Sequence, residues 1–505
     1  MAGLVHGAAL VGADAVPVVV EVDFLRRLPC VVIIGSVTSV VREASERVRS
    51  ALKQSDIEFP RQRIVVNLSP GDFPKDGTAY DLAIAIGILA KAGVVDAARS
   101  REYLLVGELG LCAELRPVRG ALAYACLARD EGFRGIILPG ACAAEASLVS
   151  GLEVRGAGCL RDVVSFLNGE LDLPACQPAL ESSTSSLLDF SDVRGQKLAR
   201  VALEIAAAGG HNLLMEGPPG CGKTMLAARL PTILPRMTER EMLECTRIHS
   251  AAGLATPGRV AIQVRPFRAP HHSVSAAGLL GGASLRPGEV SLAHNGVLFL
   301  DEFAEFPRSV REALRGPLED RRVVIARSGG HVVLPAAFML VAASNPCPCG
   351  FLGHPTRPCT CVVSARENYR NRLSGPLMDR FDMRVGLAPV PPAEVLRGAA
   401  AESSAVVRAR VEAARDRQRF RLGGDCACNA EISADRAIEM TAPTHAALAL
   451  LQDEMEIGAH SARAARRLLK VARTIADLEG ADDVHARHVA RAVGLRCDLD
   501  MPGEP

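Results

Sequence analysis

The alternation of hydrophobic and polar positions changes along the chain, and the first third mixes β-rich runs with helical ones. Three runs rich in β-branched residues predict strands: Val18 to Val22, Val31 to Ile34 and Arg63 to Leu68. Ser39 to Gln54 carries charges at helical spacing, and Tyr80 to Lys91 is an apolar segment that also predicts a helix. The pattern predicts an α+β domain over residues 1–170.

In the middle of the chain, apolar runs end abruptly at glycine or polar residues, which is typical of buried parallel strands. Leu213 to Met215, Val297 to Leu300 and Phe338 to Ser344 are such runs, and Met225 to Leu230 favours a helix. A strand, a glycine-rich loop and a helix in this order predict an α/β domain of the P-loop type over residues 191–388.

Composition marks the limits of this α/β domain. Small and polar residues over 171–190 indicate a linker before it, and the segment 389–392 is a proline-rich turn. Residues 389–505 are rich in Ala, Arg, Glu and Leu at helical spacing, so they predict a helical lid.

Composition also restricts the function classes. The 505 residues carry a formal net charge of +1 and 4% aromatic residues, so any nucleic-acid site must be local rather than a uniformly basic or stacking surface. Residues 1–10 lack a signal-peptide pattern and no apolar run reaches membrane-spanning length. We therefore expect a cytoplasmic protein whose 15 cysteines are reduced or metal-bound.

The most specific motif is a phosphate-binding loop of the form G-x-x-x-x-G-K-T. It consists of Gly217, Pro218, Pro219, Gly220, Cys221, Gly222, Lys223 and Thr224. In this motif backbone N–H groups face phosphate oxygens, the lysine reaches the β- and γ-phosphates, and the threonine hydroxyl joins the Mg²⁺ shell. The sequence therefore predicts a site for ATP and Mg²⁺.

Two acids and an amide follow the next apolar strands. Asp301 and Glu302 end the first strand, so we expect Asp301 to hold Mg²⁺ through water and Glu302 to act as general base. Asn345 ends the second strand and is expected to orient the attacking water. Its alternative role is to cap the turn before Pro346.

Two arginines fit roles at the edge of such a domain. Arg380, in the segment Leu377 to Arg380, is expected to act as an arginine finger on the γ-phosphate of a neighbouring subunit, which requires a homo-oligomer. Arg463, at the start of a predicted lid helix, is the candidate second sensor. For either residue the alternative is a solvated surface charge.

Two insertions interrupt the domain. One lies between Ala269 and Leu292, and the other is a predicted hairpin of Arg321 to Ala326 and His331 to Pro335. Insertions at these points resemble the helix-2-insert, pre-sensor-1 clade of AAA+ ATPases, which includes MCM helicases and magnesium chelatase motors. The resemblance implies loops that enter the pore of a ring, so Arg327 in the hairpin turn is either a phosphate contact or an ordinary turn residue.

Four cysteines cluster shortly after the predicted strand Phe338 to Ser344. They form two C-x-C pairs, Cys347 with Cys349 and Cys359 with Cys361, which can offer four thiolates to Zn²⁺. His354 is a substitute ligand, and four unrelated thiols are the alternative.

The first domain resembles the protease domain of Lon-type enzymes, through segments 69–77, 107–110 and 115–120. The resemblance implies an α+β fold like that of ribosomal protein S5. Where the protease has its serine nucleophile and its lysine, this chain has Ala79 and Leu122. Neither residue supplies a nucleophile or a base, so we expect a catalytically empty domain with a structural or DNA-positioning role.

Over nearly its whole length the chain resembles the ComM (YifB) family of magnesium-chelatase-like AAA+ proteins. Five segments carry the resemblance: Arg265 to Ser273, Leu292 to Glu302, Asn345 to Gly350, Leu373 to Arg380 and Ala472 to Leu478. It implies an ATP-driven hexameric ring around single-stranded or branched DNA, which drives branch migration in recombination and natural transformation.

The substrate of such a motor has two interpretations, DNA or a partner protein. A protein-remodelling ATPase of the magnesium chelatase type would share every nucleotide-binding residue. The Lon-like domain and the cysteine loop favour the DNA motor.

Overall fold

Three regions of secondary structure follow one another along the chain. The computed structural model describes residues 3–177, 188–254, 260–282, 285–327, 330–373, 375, 377–391, 394, 401–424, 428–457 and 461–496. Half of the predicted linker, residues 178–187, lies outside the described residues.

The N-terminal region is a mixed sheet covered by helices. Its strands are β1 (Gly3–Val11), β2 (Asp14–Leu25), β3 (Cys30–Ile34), β4 (Arg63–Ser69), β5 (Tyr103–Leu105), β6 (Glu108–Leu109), β7 (Leu115–Arg116), β8 (Gly135–Pro139) and β9 (Glu153–Ala157). Its helices are α1 (Ser39–Arg42), α2 (Ala44–Gln54), α3 (Asp81–Ala92), α4 (Ala97–Ser100), α5 (Ala121–Asp130), α6 (Gly140–Ala146) and α7 (Leu160–Leu167).

Seven of these strands form one sheet in the order β3-β4-β2-β1-β5-β8-β9. Strands β4, β2 and β1 pair antiparallel, and the other neighbours pair parallel. The three predicted strands and the apolar helix are confirmed, and α3 is apolar on nearly every side because it is buried almost completely. The predicted helix over 39–54 is interrupted at Glu43, which ends α1 and precedes α2.

The central region is a parallel sheet with helices and a hairpin. Its strands are β10 (Leu213–Glu216), β11 (Phe267–Arg268), β12 (Val297–Leu300), β13 (Arg322–Arg327), β14 (Gly330–Pro335), β15 (Met339–Ser344) and β16 (Met383–Gly386). Its helices are α8 (Lys197–Gly209), α9 (Lys223–Ile233), α10 (Glu239–Ala251), α11 (Ala276–Leu280), α12 (Glu289–Leu292), α13 (Arg308–Ala313), α14 (Arg315–Asp320) and α15 (Val363–Arg372).

Five strands form this sheet in the order β11-β12-β15-β10-β16, and every pair is parallel. All carboxyl ends of the strands therefore lie at one edge of the sheet and all amino ends at the other. Strands β13 and β14 form a separate antiparallel hairpin, as predicted.

The C-terminal region is helical. It contains α16 (Ser404–Leu422), α17 (Ala437–Thr441), α18 (His445–Ile457), α19 (Ala462–Glu479) and α20 (Ala486–Gly494). Residues of α16 and α19, such as Val411 and Leu468, share one hydrophobic core with β10 and α8. The predicted helical character is confirmed, and the role of these helices as a lid stays a prediction. None of the helices that the structure describes is long and apolar enough to cross a membrane.

The N-terminal region packs on the central one through the turn between β1 and β2. Ala13 of this turn joins the hydrophobic cluster of β12 and the hairpin, and Asp14 forms an ion pair of 2.8 Å with Arg247 of α10. The backbone N–H of Gly120 also donates to Ser250 Oγ at 3.0 Å. The first domain therefore rests on α10 and on the hairpin.

Candidate functional site

The phosphate-binding loop lies where the sequence predicts it, between β10 and α9. Gly220 and Gly222 have φ values of 79° and 90°, in the left-handed region that favours glycine. Among the described residues no side chain caps the N-terminus of α9, so its first N–H groups are available to phosphate oxygens. The loop therefore fits the polyphosphate of a nucleotide.

Lys223 is buried and its ammonium group points back over the loop. Its Nζ donates to the carbonyl oxygens of Gly217 at 2.5 Å and Pro218 at 3.0 Å, and to Asn345 Oδ1 at 3.1 Å. Burial lowers the pKa of Lys223. Because these oxygen atoms belong to neutral groups, they do not neutralise the positive charge of Lys223, which can bind an incoming phosphate.

Thr224 and Asp301 form the group of oxygens that could hold Mg²⁺. Thr224 Oγ1 donates to Asp301 Oδ2 at 2.6 Å, and the backbone N–H of Glu302 donates to Asp301 Oδ1 at 2.9 Å. A hydroxyl and a carboxylate beside a phosphate loop are the oxygen ligands that Mg²⁺ takes together with phosphate.

Glu302 follows β12 in a conformation that is uncommon for a residue with a side chain, with φ of 51°. Its side chain is 55% exposed, and Oε2 lies 3.4 Å from Nδ1 of His272. The imidazole of His272 contacts the rings of His271 and Phe306, with ring-centroid distances of 4.0 and 6.5 Å. His272 is therefore placed to orient the predicted base, a role that the sequence motif 265–273 did not reveal.

Asn345 comes directly after β15 and meets Lys223 beside the phosphate loop. This position favours contact with the nucleotide over the alternative of a turn cap. The signal in the sequence was the end of an apolar strand, which in a parallel sheet lies at the same edge as the phosphate loop.

The four predicted cysteines come together in the loop that follows Asn345. Their Sγ atoms all lie within 4.8 Å of one another. His354 is not among them, because its Nδ1 accepts the backbone N–H groups of Thr356 and Arg357 at 3.2 and 3.1 Å. The four cysteines form the cluster without His354, and its role as a substitute ligand stays a prediction.

The electrostatics of the cysteine loop favour one thiolate. The backbone N–H of Phe351 is the main cause that lowers the pKa of Cys349 to about 5, whereas burial raises the pKa of Cys347 to about 12. The loop can therefore hold a thiolate at neutral pH, which is the form that binds metal.

Arg380 lies at the opposite edge of the sheet. It precedes β16, and its carbonyl oxygen accepts from Nδ2 of Asn212, which precedes β10, at 3.0 Å. The four residues of β10 separate this edge from the phosphate loop by about 13 Å. Arg380 therefore lies at the end of β10 away from the phosphate loop of its own chain.

A single carboxylate holds both predicted arginines. Glu319 of α14 forms an ion pair with Arg380 and a second one of 2.8 Å with Arg463. Burial, and then the charges of Arg463, Arg467 and Arg315, lower the pKa of Arg380 to about 10. The sequence did not predict a role for Glu319, because no local motif links it to Arg380 and Arg463, which lie far from it in the chain.

The arginines line a cavity of about 510 Å³. Its charged lining residues are Arg321, Arg380, Arg463, Arg466, Arg467 and Lys470 on the basic side, and Glu319, Asp382 and Glu431 on the acidic side. Because basic residues outnumber acidic ones, the cavity is complementary to an anionic group.

The structure also places the predicted positions Ala79, Leu122 and Arg327. Leu122 is buried and Ala79 packs on the same apolar cluster, so the positions that correspond to the Lon catalytic residues offer no polar group. Arg327 ends β13, as the predicted hairpin requires, and its side chain lies outside what the structure describes.

Comparisons with known proteins decide the family. Three family models match: "Magnesium chelatase, subunit ChlI" over residues 189–395, "Subunit ChlI of Mg-chelatase" over 20–141, and "Magnesium chelatase, subunit ChlI C-terminal" over 401–496. The chain is 42% identical to the competence protein ComM of Haemophilus influenzae, over 98% of this chain and 97% of that one. It is also 42% identical to YifB of Escherichia coli, over 98% and 96%.

The chain belongs to the ComM/YifB family of magnesium-chelatase-like AAA+ ATPases. A shorter similarity reaches a DNA helicase, MCM8 of Gallus gallus, with 26% identity over 39% of this chain and 20% of that one. Membership of the ComM/YifB family confirms the resemblance drawn from segments 265–273, 292–302 and 345–350, and it implies ATP and Mg²⁺ as cofactors.

Proposed function

We propose that the protein is an ATP-driven DNA motor that works as a homo-oligomeric ring, a hexamer, and drives branch migration in recombination and natural transformation. The observation that carries this proposal is the division of one ATPase site between opposite edges of the central sheet. Lys223, Thr224, Asp301, Glu302 and Asn345 lie at the carboxyl edge, and Arg380 and Arg463 lie at the amino edge.

In this proposal the carboxyl edge binds the nucleotide. The glycines and the first turn of α9 hold the phosphates, and Lys223 exchanges its carbonyl contacts for phosphate oxygens. Bound Mg²⁺, held by Thr224 and Asp301, would polarise the γ-phosphate. Glu302 takes a proton from water, and Asn345 orients that water.

The amino edge completes the site of the next subunit. Arg380 lies at the end of β10 away from the phosphate loop of its own chain, and Arg463 pairs with the same carboxylate as Arg380, so we expect both arginines to act on the nucleotide of a neighbour. Their shared partner Glu319 keeps both guanidinium groups oriented in the separate subunit. A ring of identical subunits then gives every site the positive charge that its transition state requires.

Two features support DNA as the substrate. The hairpin of β13 and β14 lies at the point where the helix-2-insert clade carries pore loops, with Arg327 at its end. The proteins similar to this chain include a competence protein and, over a shorter region, a DNA helicase. The N-terminal domain, which we propose has the Lon-like fold without its catalytic residues, rests on this hairpin and would position it.

The family models named after magnesium chelatase support a second candidate, a motor that remodels a partner protein. The two candidates share the ATPase site, so nucleotide chemistry does not distinguish them. The two candidates are distinguished by whether DNA or a partner protein stimulates ATP hydrolysis.

A synthetic mobile Holliday junction provides the test. Wild type should move the branch in the presence of ATP, whereas Glu302→Gln should bind ATP and the junction without moving it. Glu312→Gln is the matched control, because Glu312 is a partly exposed acid of α13 that pairs with Arg315. If ATP hydrolysis proceeds and DNA neither stimulates it nor is moved, the DNA motor is wrong and the remodelling motor takes its place.

A further inference from the structure

The cysteine loop joins two elements that both belong to the nucleotide site. It begins directly after Asn345, whose Oδ1 accepts from Lys223 Nζ at 3.1 Å. It ends at α15, whose Tyr369 hydroxyl lies 3.3 Å from Ser344 Oγ at the end of β15. Both ends of the loop are therefore fixed beside the last residues of the same strand.

The middle of the loop contacts the phosphate-binding loop itself. Gly350, in the turn that carries the first cysteine pair, has φ of 83°. A Cβ atom added at Gly350 would lie 2.7 Å from Cδ of Pro219. Only glycine fits this contact without displacing the ring of Pro219, so the cysteine loop lies directly against the loop that binds phosphate.

The sulfur atoms are spaced for a tetrahedral metal ion. Cys347 Sγ lies 3.4 Å from Cys349 Sγ and 3.6 Å from Cys359 Sγ, and Cys349 Sγ lies 3.6 Å from Cys359 Sγ. Zinc bonds to sulfur of about 2.3 Å in a tetrahedron place neighbouring sulfurs about 3.8 Å apart. A disulfide would bring two of them to about 2.05 Å. The spacing therefore matches a metal site and not a disulfide.

Backbone groups around the cluster stabilise thiolates. The N–H of Cys349 donates to Cys361 Sγ at 3.3 Å, and the N–H of Leu352 donates to Cys347 Sγ at 3.4 Å. The N–H of Cys361 donates to Cys359 Sγ at 3.5 Å. Such outer contacts orient metal ligands and offset their negative charge. Soft thiolates select Zn²⁺ over Mg²⁺, and four protein ligands leave no open position, which is typical of a structural site.

The geometry points to a structural zinc site, Cys347, Cys349, Cys359 and Cys361, that holds Asn345 and the phosphate-binding loop in the arrangement needed for ATP hydrolysis. This inference rests on the proposed ATPase site and extends it. The metal takes no part in the reaction. It fixes a loop in which, between Asn345 and α15, only Cys347 and Gly350 are buried.

The metal site is tested by zinc content. Full-length wild type and Cys112→Ser, an exposed cysteine outside the loop, should each carry one zinc per chain. Cys359→Ser and Cys361→Ser should lose zinc, and cobalt-loaded wild type should show the visible absorption of a tetrahedral thiolate complex that both variants lack. A wild type without zinc, or either variant with full zinc, overturns the site.

The link to the nucleotide is tested separately with Gly350→Ala. This variant keeps all four ligands, so it should retain zinc while its ATP turnover falls by at least about tenfold, as expected when catalytic groups shift by a fraction of an ångström. The matched control is Gly132→Ala, which has φ of 75° and no atom within 4 Å of the added Cβ. Unchanged ATP binding and turnover in Gly350→Ala would refute the inference that the cysteine loop holds the phosphate-binding loop in place.

These measurements need no DNA. A protein that carries zinc and loses ATP turnover with Gly350→Ala, yet moves no junction, refutes the DNA motor and leaves the zinc inference standing. A melting curve close to that of wild type establishes that Gly350→Ala is folded.

Discussion

The two edges of the central sheet carry the residues that the proposed ATPase site combines, and they satisfy their charges in different ways. At the carboxyl edge the buried cation, Lys223, is held by neutral oxygens. At the amino edge, Arg380 and Arg463 share the carboxylate of Glu319. In the part of the chain that the structure describes, the hydrogen-bonded oxygen partners of Lys223 are neutral, so it can exchange them for phosphate, whereas the arginines must give up an ion pair with Glu319. We therefore expect the first edge to bind nucleotide in a single subunit and the second to exchange its partner on assembly.

The largest expected effect comes from removing the cation of the carboxyl edge. Lys223→Ala should abolish ATP binding and hydrolysis, because the ammonium group that would contact the β- and γ-phosphates is gone. Titration with a fluorescent ATP analogue measures the loss. Lys197→Ala, at the exposed start of α8, serves as control, and strong ATP binding by Lys223→Ala would contradict the assigned loop.

The next effect tests whether the edges act between subunits. Arg380→Ala should bind ATP and lose turnover by about 10³-fold or more, the contribution typical of an arginine finger. Mixing it with Lys223→Ala should restore part of the activity, because some interfaces then combine an intact phosphate loop with an intact arginine.

Steady-state ATPase over a range of mixing ratios measures this complementation. Arg308→Ala, mixed with Lys223→Ala in the same way, gives the ATPase activity expected when the second subunit keeps both Arg380 and Arg463. No recovery with Arg380→Ala at any ratio would place Arg380 in the site of its own chain.

A smaller effect should come from the carboxylate between the arginines. Glu319→Gln keeps the shape of the side chain and removes its charge, so Arg380 and Arg463 no longer have an ion-pair partner there. ATP-dependent ring formation should then occur at a lower protein concentration, as sedimentation measures. Glu312→Gln, an acid of the preceding helix α13, should leave assembly as in wild type, and weaker assembly of Glu319→Gln would mean that Glu319 acts as a support in the ring.

The smallest effect concerns pH. Glu244 of α10 accepts from His294 Nε2 and Asn295 Nδ2 just before β12, and the hydrogen bond from His294 is the main cause that lowers its pKa to about 2. A depressed carboxyl pKa stabilises the folded state above the ordinary value of 4.5 and ceases to do so as pH falls towards 2. Glu244→Gln should therefore melt at a lower temperature than wild type at neutral pH, with the difference shrinking below pH 4.5. A pH-independent difference would show that packing, and not charge, is responsible.

Local signals in the sequence predicted most of the carboxyl edge. Strand β10, the glycine loop and α9 follow one another directly in the sequence, so a local motif predicts them. Asp301 and Glu302 follow the apolar run of β12, and Asn345 follows that of β15. Because these strands pair in parallel, their carboxyl ends lie together. The amino edge could be predicted only in part. Arg380 and Arg463 were found by motif, but Glu319 is joined to them through tertiary packing, which leaves no mark on local spacing.

Other differences have similar causes. The helix predicted over 39–54 is divided at Glu43, although its charges recur at helical spacing throughout. The contact of Gly350 with Pro219 joins residues more than a hundred positions apart and requires a fold to be seen. His272 was visible within a motif, and only the position of Glu302 gives it a role.

The contact between the first domain and the hairpin has a mechanical consequence. A Cβ atom at Gly12 would lie 2.3 Å from Val332 of β14, so the turn between β1 and β2 touches the hairpin with little clearance. A hairpin that swings during turnover must either carry this turn with it or slide beneath it. In both cases the packed contact couples the hairpin to the seven-stranded sheet behind the turn, so the first domain would resist movement of the hairpin even without any chemistry of its own.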